Sequence, residues 1–229
     1  MGAKTGSDEV IRRVAGEFRV LTLGGVAVIA TGLSRNTYDA DVWVDPFGSP
    51  EEWSSRLAPA LYDSGFGQPV SIGSWEKIPR DQLAEVIGRD GVIRLDGLER
   101  PLDIFRAPNQ LPMEDFDEIW ERARPMDDGT RLPDPIDLLV SKQETGRDKD
   151  RTDIIFLEGK IEADYLARLP RATAGEAVRM LGRFLTPRVA EVALTHADPE
   201  VAELGRRFLR ELAEEGDPYA AEILRRRGG

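Results

Sequence analysis

Three aspartates, Asp39, Asp41 and Asp103, are the residues whose type and spacing could support chemistry in this chain. The stretch from Asp39 to Asp45 alternates apolar and polar residues, and this period of two predicts a strand. Asp39 and Asp41 would then point to one face, about 6–7 Å apart along the strand. Two carboxylates on one face repel each other, so a divalent cation is their natural partner. The pair predicts a site for Mg²⁺ or Mn²⁺.

Asp103 is the best candidate for a third ligand. It stands alone among apolar neighbours in the predicted strand from Pro101 to Phe105. An isolated carboxylate there is costly unless it is paired or bound to a metal. Three converging carboxylates could hold two cations, which grip the attacking and leaving oxygens of a phosphoryl transfer. The alternative is that Asp103 is the partner of a structural salt bridge.

Two glycines precede these aspartates in the chain. Gly24 and Gly25 stand between a predicted strand, Phe18–Leu23, and a predicted short helix, Val26–Thr31. Glycines at a strand-to-helix turn allow close backbone approach, and the first N–H groups of a helix bind phosphate. The alternative is a tight turn without any ligand.

Composition limits the other kinds of site. The 229 residues include no cysteine and one histidine, His196, which excludes thiolate chemistry and disfavours zinc sites and a Ser-His-Asp triad. Net charge is −11, and before residue 158 there are 29 acidic against 19 basic residues. This charge argues against broad binding of duplex nucleic acid. Without an apolar leader or a long apolar run, we expect a soluble, cytoplasmic protein that does not enter the membrane.

The remaining patterns predict an α/β (α+β) fold: a mixed, mostly antiparallel sheet flanked by helices, with a helical C-terminal region. Residues 91–105 read as two strands joined by a tight Asp96-Gly97 turn, and helices are predicted over residues 50–64, 115–123 and 134–145. We place the domains at residues 1–130 and 131–229. The four tryptophans are scattered, which favours packing over a stacking surface.

Two sequence blocks carry a family resemblance that covers residues 20–157. The first is Gly24-Gly25 followed by Arg35-x-Thr37-x-Asp39-x-Asp41 and a later strand Asp; the second is DLLVSKQETGRDKDRTDI, residues 137–154. Together they resemble the nucleotidyltransferase superfamily with the DNA-polymerase-β-like fold, and especially small prokaryotic members that include toxins of toxin–antitoxin systems.

The resemblance implies a role for each matching position. Asp39, Asp41 and Asp103 would be the metal ligands and catalytic residues, and Asp103 could help deprotonate the acceptor hydroxyl. The nucleotide-binding residues would be Gly24, Gly25, Arg35, Thr37 and Lys142. Many members carry Gly-Ser where this chain has Gly24-Gly25, so that serine hydroxyl is absent.

Several of these positions also have a purely structural interpretation. Arg35 either contacts substrate or pairs with a carboxylate, Thr37 makes a local backbone hydrogen bond, and Lys142 is either a ligand contact or a solvated lysine. Asp150 and Asp153 are expected to anchor their helix through Arg147 or Arg151.

The leading hypothesis is metal-dependent transfer of a nucleotidyl group from a nucleoside triphosphate to a hydroxyl of a tRNA, a protein or a small molecule. A toxin of this kind would have a cognate antitoxin as partner. The rivals are a non-catalytic nucleotide- or protein-binding module on the same scaffold, and an aminoglycoside-type nucleotidyltransferase, whose polycationic substrate would suit an acidic surface.

Overall fold

The computed structural model describes residues 6–62, 67–108, 110–143 and 148–227. Ser64, Thr145 and Arg147, which the sequence analysis uses, lie outside these ranges. The chain forms two compact units, residues 1–154 and 155–229. Residues 131–154, which we assigned to the helical region, therefore cluster with the sheet.

The first unit is built on a mixed sheet. Its strands, in the order they occupy across the sheet, are β3 (Gln68–Val70), β4 (Val92–Asp96), β5 (Leu102–Phe105), β2 (Ala40–Val44), β1 (Val20–Leu23), β7 (Arg131–Leu132) and β6 (Arg124–Pro125). In the middle of the sheet β2 runs parallel to β5, and β1 runs parallel to β7. The other neighbouring pairs are antiparallel. The α/β class with a mixed sheet is confirmed, and the sheet departs from the predicted, mostly antiparallel arrangement at two parallel pairs, β2–β5 and β1–β7.

Helices flank the sheet, and β1 in its middle is buried along its whole length. The helices of this unit are α1 (Ser7–Glu17), α2 (Gly24–Ala30), α3 (Pro50–Tyr62), α4 (Leu83–Asp90), α5 (Phe116–Arg122) and α6 (Pro135–Lys142). One face of the sheet packs in a single core with residues of α1, α3 and α4. On the opposite face the Trp43 ring meets Phe116 of α5 edge-on at 5.0 Å.

The alternation of side chains along β2 determines which face of the sheet carries the candidate site residues. In β2 Val42 and Val44 enter the main core, so Asp41 and Trp43 face the other way. The structure thus puts the candidate site on the face away from that core.

Helix α7 (Asp148–Arg168) begins in the first unit and continues into the second. The second unit adds α8 (Ala174–Arg183), α9 (Pro187–Ala193), α10 (Pro199–Glu214) and α11 (Pro218–Arg227). Ala190, Leu209, Ala220 and Ile223 form its small buried core. Across the described ranges, none of the helices combines the length and apolarity needed to cross a bilayer.

One predicted connection is wrong. Strands β4 and β5 do form an antiparallel pair, but they are joined by residues 97–101 instead of a tight turn at Asp96-Gly97. Gly97 keeps a left-handed φ of 83° within this longer loop. The longer loop changes which residues of the two strands lie opposite each other, with consequences for the site.

Candidate functional site

The site begins as a row of residues across three neighbouring strands. Asp41 of β2 is the register partner of Asp103 of β5, and Asp103 is the partner of Arg94 of β4. Residues paired in this way present their side chains on the same face. Two acids and one base therefore stand side by side across the sheet.

Asp39 joins this row from the residue just before β2 begins. It is about half-buried, and its Oδ2 lies 3.7 Å from Nη2 of Arg94. The structure thus brings Asp39, Asp41 and Asp103 to one place from two strands.

Gly24 allows the backbone to approach Asp41. It opens α2 with a left-handed φ of 60°, and a Cβ at this position would lie 1.8 Å from Oδ2 of Asp41. Only glycine fits both the conformation and the space.

Gly25 makes a second close approach, to the loop that precedes β2. An added Cβ would lie 2.4 Å from the Thr37 hydroxyl and 2.9 Å from Nη2 of Arg35. Thr37 Oγ1 in turn donates to the carbonyl of Asp39 at 3.3 Å. The two glycines therefore dock the start of α2 against the loop that carries the acids.

Arg94 is the functional residue that the sequence analysis missed. Its Nε and Nη2 donate to the two oxygens of Asp103 at 2.6 and 2.7 Å, in a two-pronged salt bridge. These hydrogen bonds raise the pKa of the Arg94 guanidinium against the opposing effect of burial, and the charges of Asp103, Asp39 and Asp41 add to the rise. The guanidinium is thus the internal counterion of the acidic row.

A signal for Arg94 was present, but the predicted turn hid it. A two-residue turn at Asp96-Gly97 would have set Arg94 opposite Glu99, because the residues flanking the turn must pair. The loop over residues 97–101 shifts the register by four and brings Arg94 opposite Asp103.

The second sequence block forms a buried ionic cluster beside the row. Lys142 of α6 contacts Asp150 at 3.0 Å and Asp153 at 3.1 Å, and all three are at least nine-tenths buried. Arg35 donates to both oxygens of Asp153 at 2.8 and 2.7 Å. Asp150 and Asp153 are thus held by Lys142 and Arg35, and Arg151 is exposed.

The acidic row, the two glycines, Arg35 and Lys142 line one cavity of about 630 Å³. Its lining includes every site residue predicted from the sequence, together with Arg94 and an apolar edge of Ile72, Trp75, Phe105 and Pro108. The volume lies within the usual range for small-molecule sites. The residues that the sequence singled out therefore share one pocket.

The site offers oxygen donors to a divalent cation. Within the described ranges, no group of three or more His, Asp or Glu side chains is arranged as a metal site. Asp103 is engaged by Arg94 in a two-pronged salt bridge, and Asp39 and Asp41 are two further hard oxygen donors of the cavity. Two carboxylates fit Mg²⁺, which is commonly bound by one or two of them together with water and substrate phosphates.

Comparison with known proteins assigns no family. No protein-family model matches the chain, and no curated protein matches it significantly.

Proposed function

We propose that this chain transfers a nucleotidyl group from a nucleoside triphosphate to a hydroxyl acceptor. The observation that carries the proposal is the presence of Asp39, Asp41 and Asp103 in one cavity with Gly24 and Gly25. This set resembles the nucleotidyltransferase superfamily in both its residue types and its order along the chain.

In this proposal Asp39 and Asp41 hold a Mg²⁺ ion, or Mn²⁺ in its place. The ion would neutralise charge on the triphosphate and on the leaving pyrophosphate. The two carboxylates fix its position, and the Gly24 backbone fixes Asp41.

Arg94 supplies a second positive charge to the same pocket. Two of its five N–H groups are used by Asp103. We infer that its remaining N–H groups donate hydrogen bonds to phosphate oxygens, since guanidinium groups bind phosphate in a planar, multidentate way. Asp103 would then orient Arg94 in the resting state, and could accept the acceptor proton only where Arg94 releases it.

The first test is binding. Thermal unfolding of the wild type is measured with Mg²⁺ and each of ATP, GTP, CTP and UTP, beside Asp41→Asn and the control Asp96→Asn, an exposed acid at the end of β4. We expect at least one Mg²⁺–nucleotide pair to stabilise the wild type and the control, and not Asp41→Asn. If no nucleotide stabilises the wild type, or if Asp41→Asn responds equally, the proposal fails.

The second test is transfer. The chain is incubated with Mg²⁺ and nucleotides labelled at the α-phosphate, together with bulk tRNA, a mixture of proteins or an aminoglycoside. Label should appear on one class of acceptor and be lost in Asp41→Asn. That result would also choose between a toxin-like enzyme and an antibiotic-modifying one.

The Arg94–Asp103 salt bridge favours a second candidate, a nucleotide-binding module without transfer. The carboxylate that the resemblance assigns to proton removal is already occupied by a guanidinium. Stabilisation by nucleotide in the first test, with no labelled acceptor in the second, would support this candidate over the enzyme.

A further inference from the structure

Trp75 is an unusual residue at the edge of the cavity. It is the one non-glycine residue of the described ranges with a positive φ, 59°, and it remains 56% exposed. A bulky residue in this conformation is strained. An exposed indole also gains little from burial, so core packing does not explain its position.

The turn around Trp75 holds the strained conformation in place. The Trp75 N–H donates to the carbonyl of Ser71 at 3.1 Å, and the Ser71 N–H donates to the carbonyl of Glu76 at 2.9 Å. The Ser71 and Ser74 hydroxyls are hydrogen-bonded to each other, and Val70 forms a β-bridge with Lys77. The indole is therefore presented by a closed turn at the end of β3.

The position of the indole connects it to the acidic row. Trp75 lines the same cavity as Asp39 and Asp41, and the guanidinium carbon of Arg94 lies 5.2 Å from the centre of its ring. The same guanidinium reaches Asp39 at 3.7 Å. A single guanidinium thus contacts both the indole ring and Asp39, which places the aromatic surface next to the group that is proposed to bind phosphate.

We propose that Trp75 is the stacking surface for the base of the nucleotide whose phosphates lie at Asp39, Asp41 and Arg94. This inference rests on the proposed function and extends it to substrate selection. Every base has an aromatic face, so stacking accepts all four and discriminates only by ring size. The larger purines should therefore bind more tightly than the pyrimidines.

The alternative is that Trp75 only supports Arg94 through the cation–π contact. That role would affect every anion bound by Arg94, with or without a base. Stacking would affect nucleotides alone. Mg²⁺–tripolyphosphate, which carries the phosphates without sugar or base, separates the two roles.

The experiment compares Mg²⁺–ATP, Mg²⁺–CTP and Mg²⁺–tripolyphosphate by titration calorimetry. The proteins are the wild type, Trp75→Ala, Trp75→Phe, Trp75→Gly and the control Tyr38→Ala, an aromatic residue that is 90% exposed and does not line the cavity. Losing one stacked base should weaken ATP binding about tenfold in Trp75→Ala. Trp75→Phe should lose less, and the control and all tripolyphosphate affinities should stay unchanged.

Trp75→Gly gives a second readout. Glycine adopts positive φ without strain, so this variant should unfold at a higher denaturant concentration than Trp75→Ala and yet bind ATP as weakly. The combination excludes misfolding as the cause of lost affinity.

The outcomes are distinct. If the wild type binds neither ATP nor tripolyphosphate, the proposed function fails and this inference fails with it. If the wild type binds ATP and Trp75→Ala binds it equally well, or if Trp75→Ala loses ATP and tripolyphosphate in equal proportion, base stacking is overturned while the proposed function stands.

Discussion

Gly24 and Arg94 show how single residues set the properties of the cavity. Gly24 lets the backbone touch Asp41, and Arg94 balances the charge that three aspartates bring together. One residue acts through the absence of a side chain and the other through its charge. Each can be tested by a substitution with a matched control.

Gly24→Ala should destabilise the protein by about 1–3 kcal/mol, because alanine is strained at φ 60° and its Cβ would collide with Asp41. The control is Gly16→Ala in α1, where a Cβ meets nothing within 4 Å. Alanine favours helix, so this control should stabilise by up to about 1 kcal/mol. Urea unfolding measures both, and equal effects would contradict the close approach.

Arg94→Ala should cost about 3 kcal/mol, because it leaves the buried Asp103 without its partner beside two other acids. The control, Arg89→Ala, breaks an Arg89–Asp90 pair whose arginine side chain is 60% exposed, and should be close to neutral.

Mg²⁺ should recover part of the stability lost in Arg94→Ala, because the three carboxylates then lose the positive charge of the guanidinium and repel one another. Unfolding of the wild type, Arg94→Ala and Arg89→Ala is measured with and without Mg²⁺. A gain that is no larger in Arg94→Ala than in the other two would show that the acids do not form a cation site.

At the scale of elements, the site depends on register and on helix docking. The buried cluster of Lys142, Asp150, Asp153 and Arg35 ties α6 and the start of α7 to the loop before β2. That loop ends at Asp39 and leads directly into β2, which carries Asp41. The cluster therefore acts as the support of the acidic row.

Asp153→Asn should cost about 3 kcal/mol or more, since it removes the charge that pairs with Arg35 and one of the two carboxylates that contact the buried Lys142. Asp164→Asn is the control; its partner Arg168 is 64% exposed, and the change should be close to neutral. High salt should leave the cost for Asp153→Asn nearly unchanged, because buried pairs are weakly screened. Unfolding at low and high salt checks both statements.

The start of α8 gives a test in pH. Thr173 and Glu176 form a capping box there, in which two hydrogen bonds lower the pKa of Glu176. The one from the Thr173 backbone N–H has the larger effect, and the one from the Thr173 hydroxyl comes second. A lowered pKa adds stability above the carboxyl's ordinary pKa, which is lost as pH falls through the folded value. Glu176→Gln should therefore be less stable than the wild type at pH 7, and the difference should shrink below about pH 4. Glu158→Gln, an exposed site on α7, should show no such trend.

Local patterns predicted the elements well and their pairing less well. The alternation of Asp39–Asp45 and the glycines after β1 predict β2 and α2 within one or two residues. The longer β4–β5 loop could not be predicted from the sequence, because Asp96-Gly97 is a strong signal for a two-residue turn. No sequence pattern indicates the loop that forms instead. Because the predicted register was wrong, the sequence analysis did not place Arg94 beside Asp103.

The long-range ionic partners were also beyond the sequence. Arg35 and Asp153 are 118 positions apart, and only the folded topology brings them together. Local spacing instead suggested Arg147 or Arg151 as the partner of Asp153.

At the scale of the whole molecule, the candidate site lies entirely within residues 1–154, and residues 155–229 form a separate compact unit. The second unit has its own small core around Leu209, which is fully buried. We therefore expect that a substitution in the core of the second unit leaves the structure around the candidate site unchanged.

Leu209→Ala should destabilise the second unit by about 2–5 kcal/mol through loss of packing and a residual cavity. Hydrogen exchange should rise in α9, α10 and α11, while β2 and β5 keep their protection. Tyr219→Phe, which removes the hydrogen bond from the 40% exposed Tyr219 of α11 to Glu191, should raise exchange far less. A comparable rise of exchange in the sheet after Leu209→Ala would show that the units unfold together.

The crowding around Gly25 bears on any attempt to engineer this pocket. A serine at position 25, which the proposed function would favour as an extra phosphate contact, would place its Cβ 2.4 Å from the Thr37 hydroxyl and 2.9 Å from Nη2 of Arg35. A serine at this position therefore also requires a smaller neighbouring side chain, for example through Thr37→Gly, so that the new hydroxyl has space. In this chain an oxygen already stands beside residue 25, delivered from the neighbouring loop instead of from the helix.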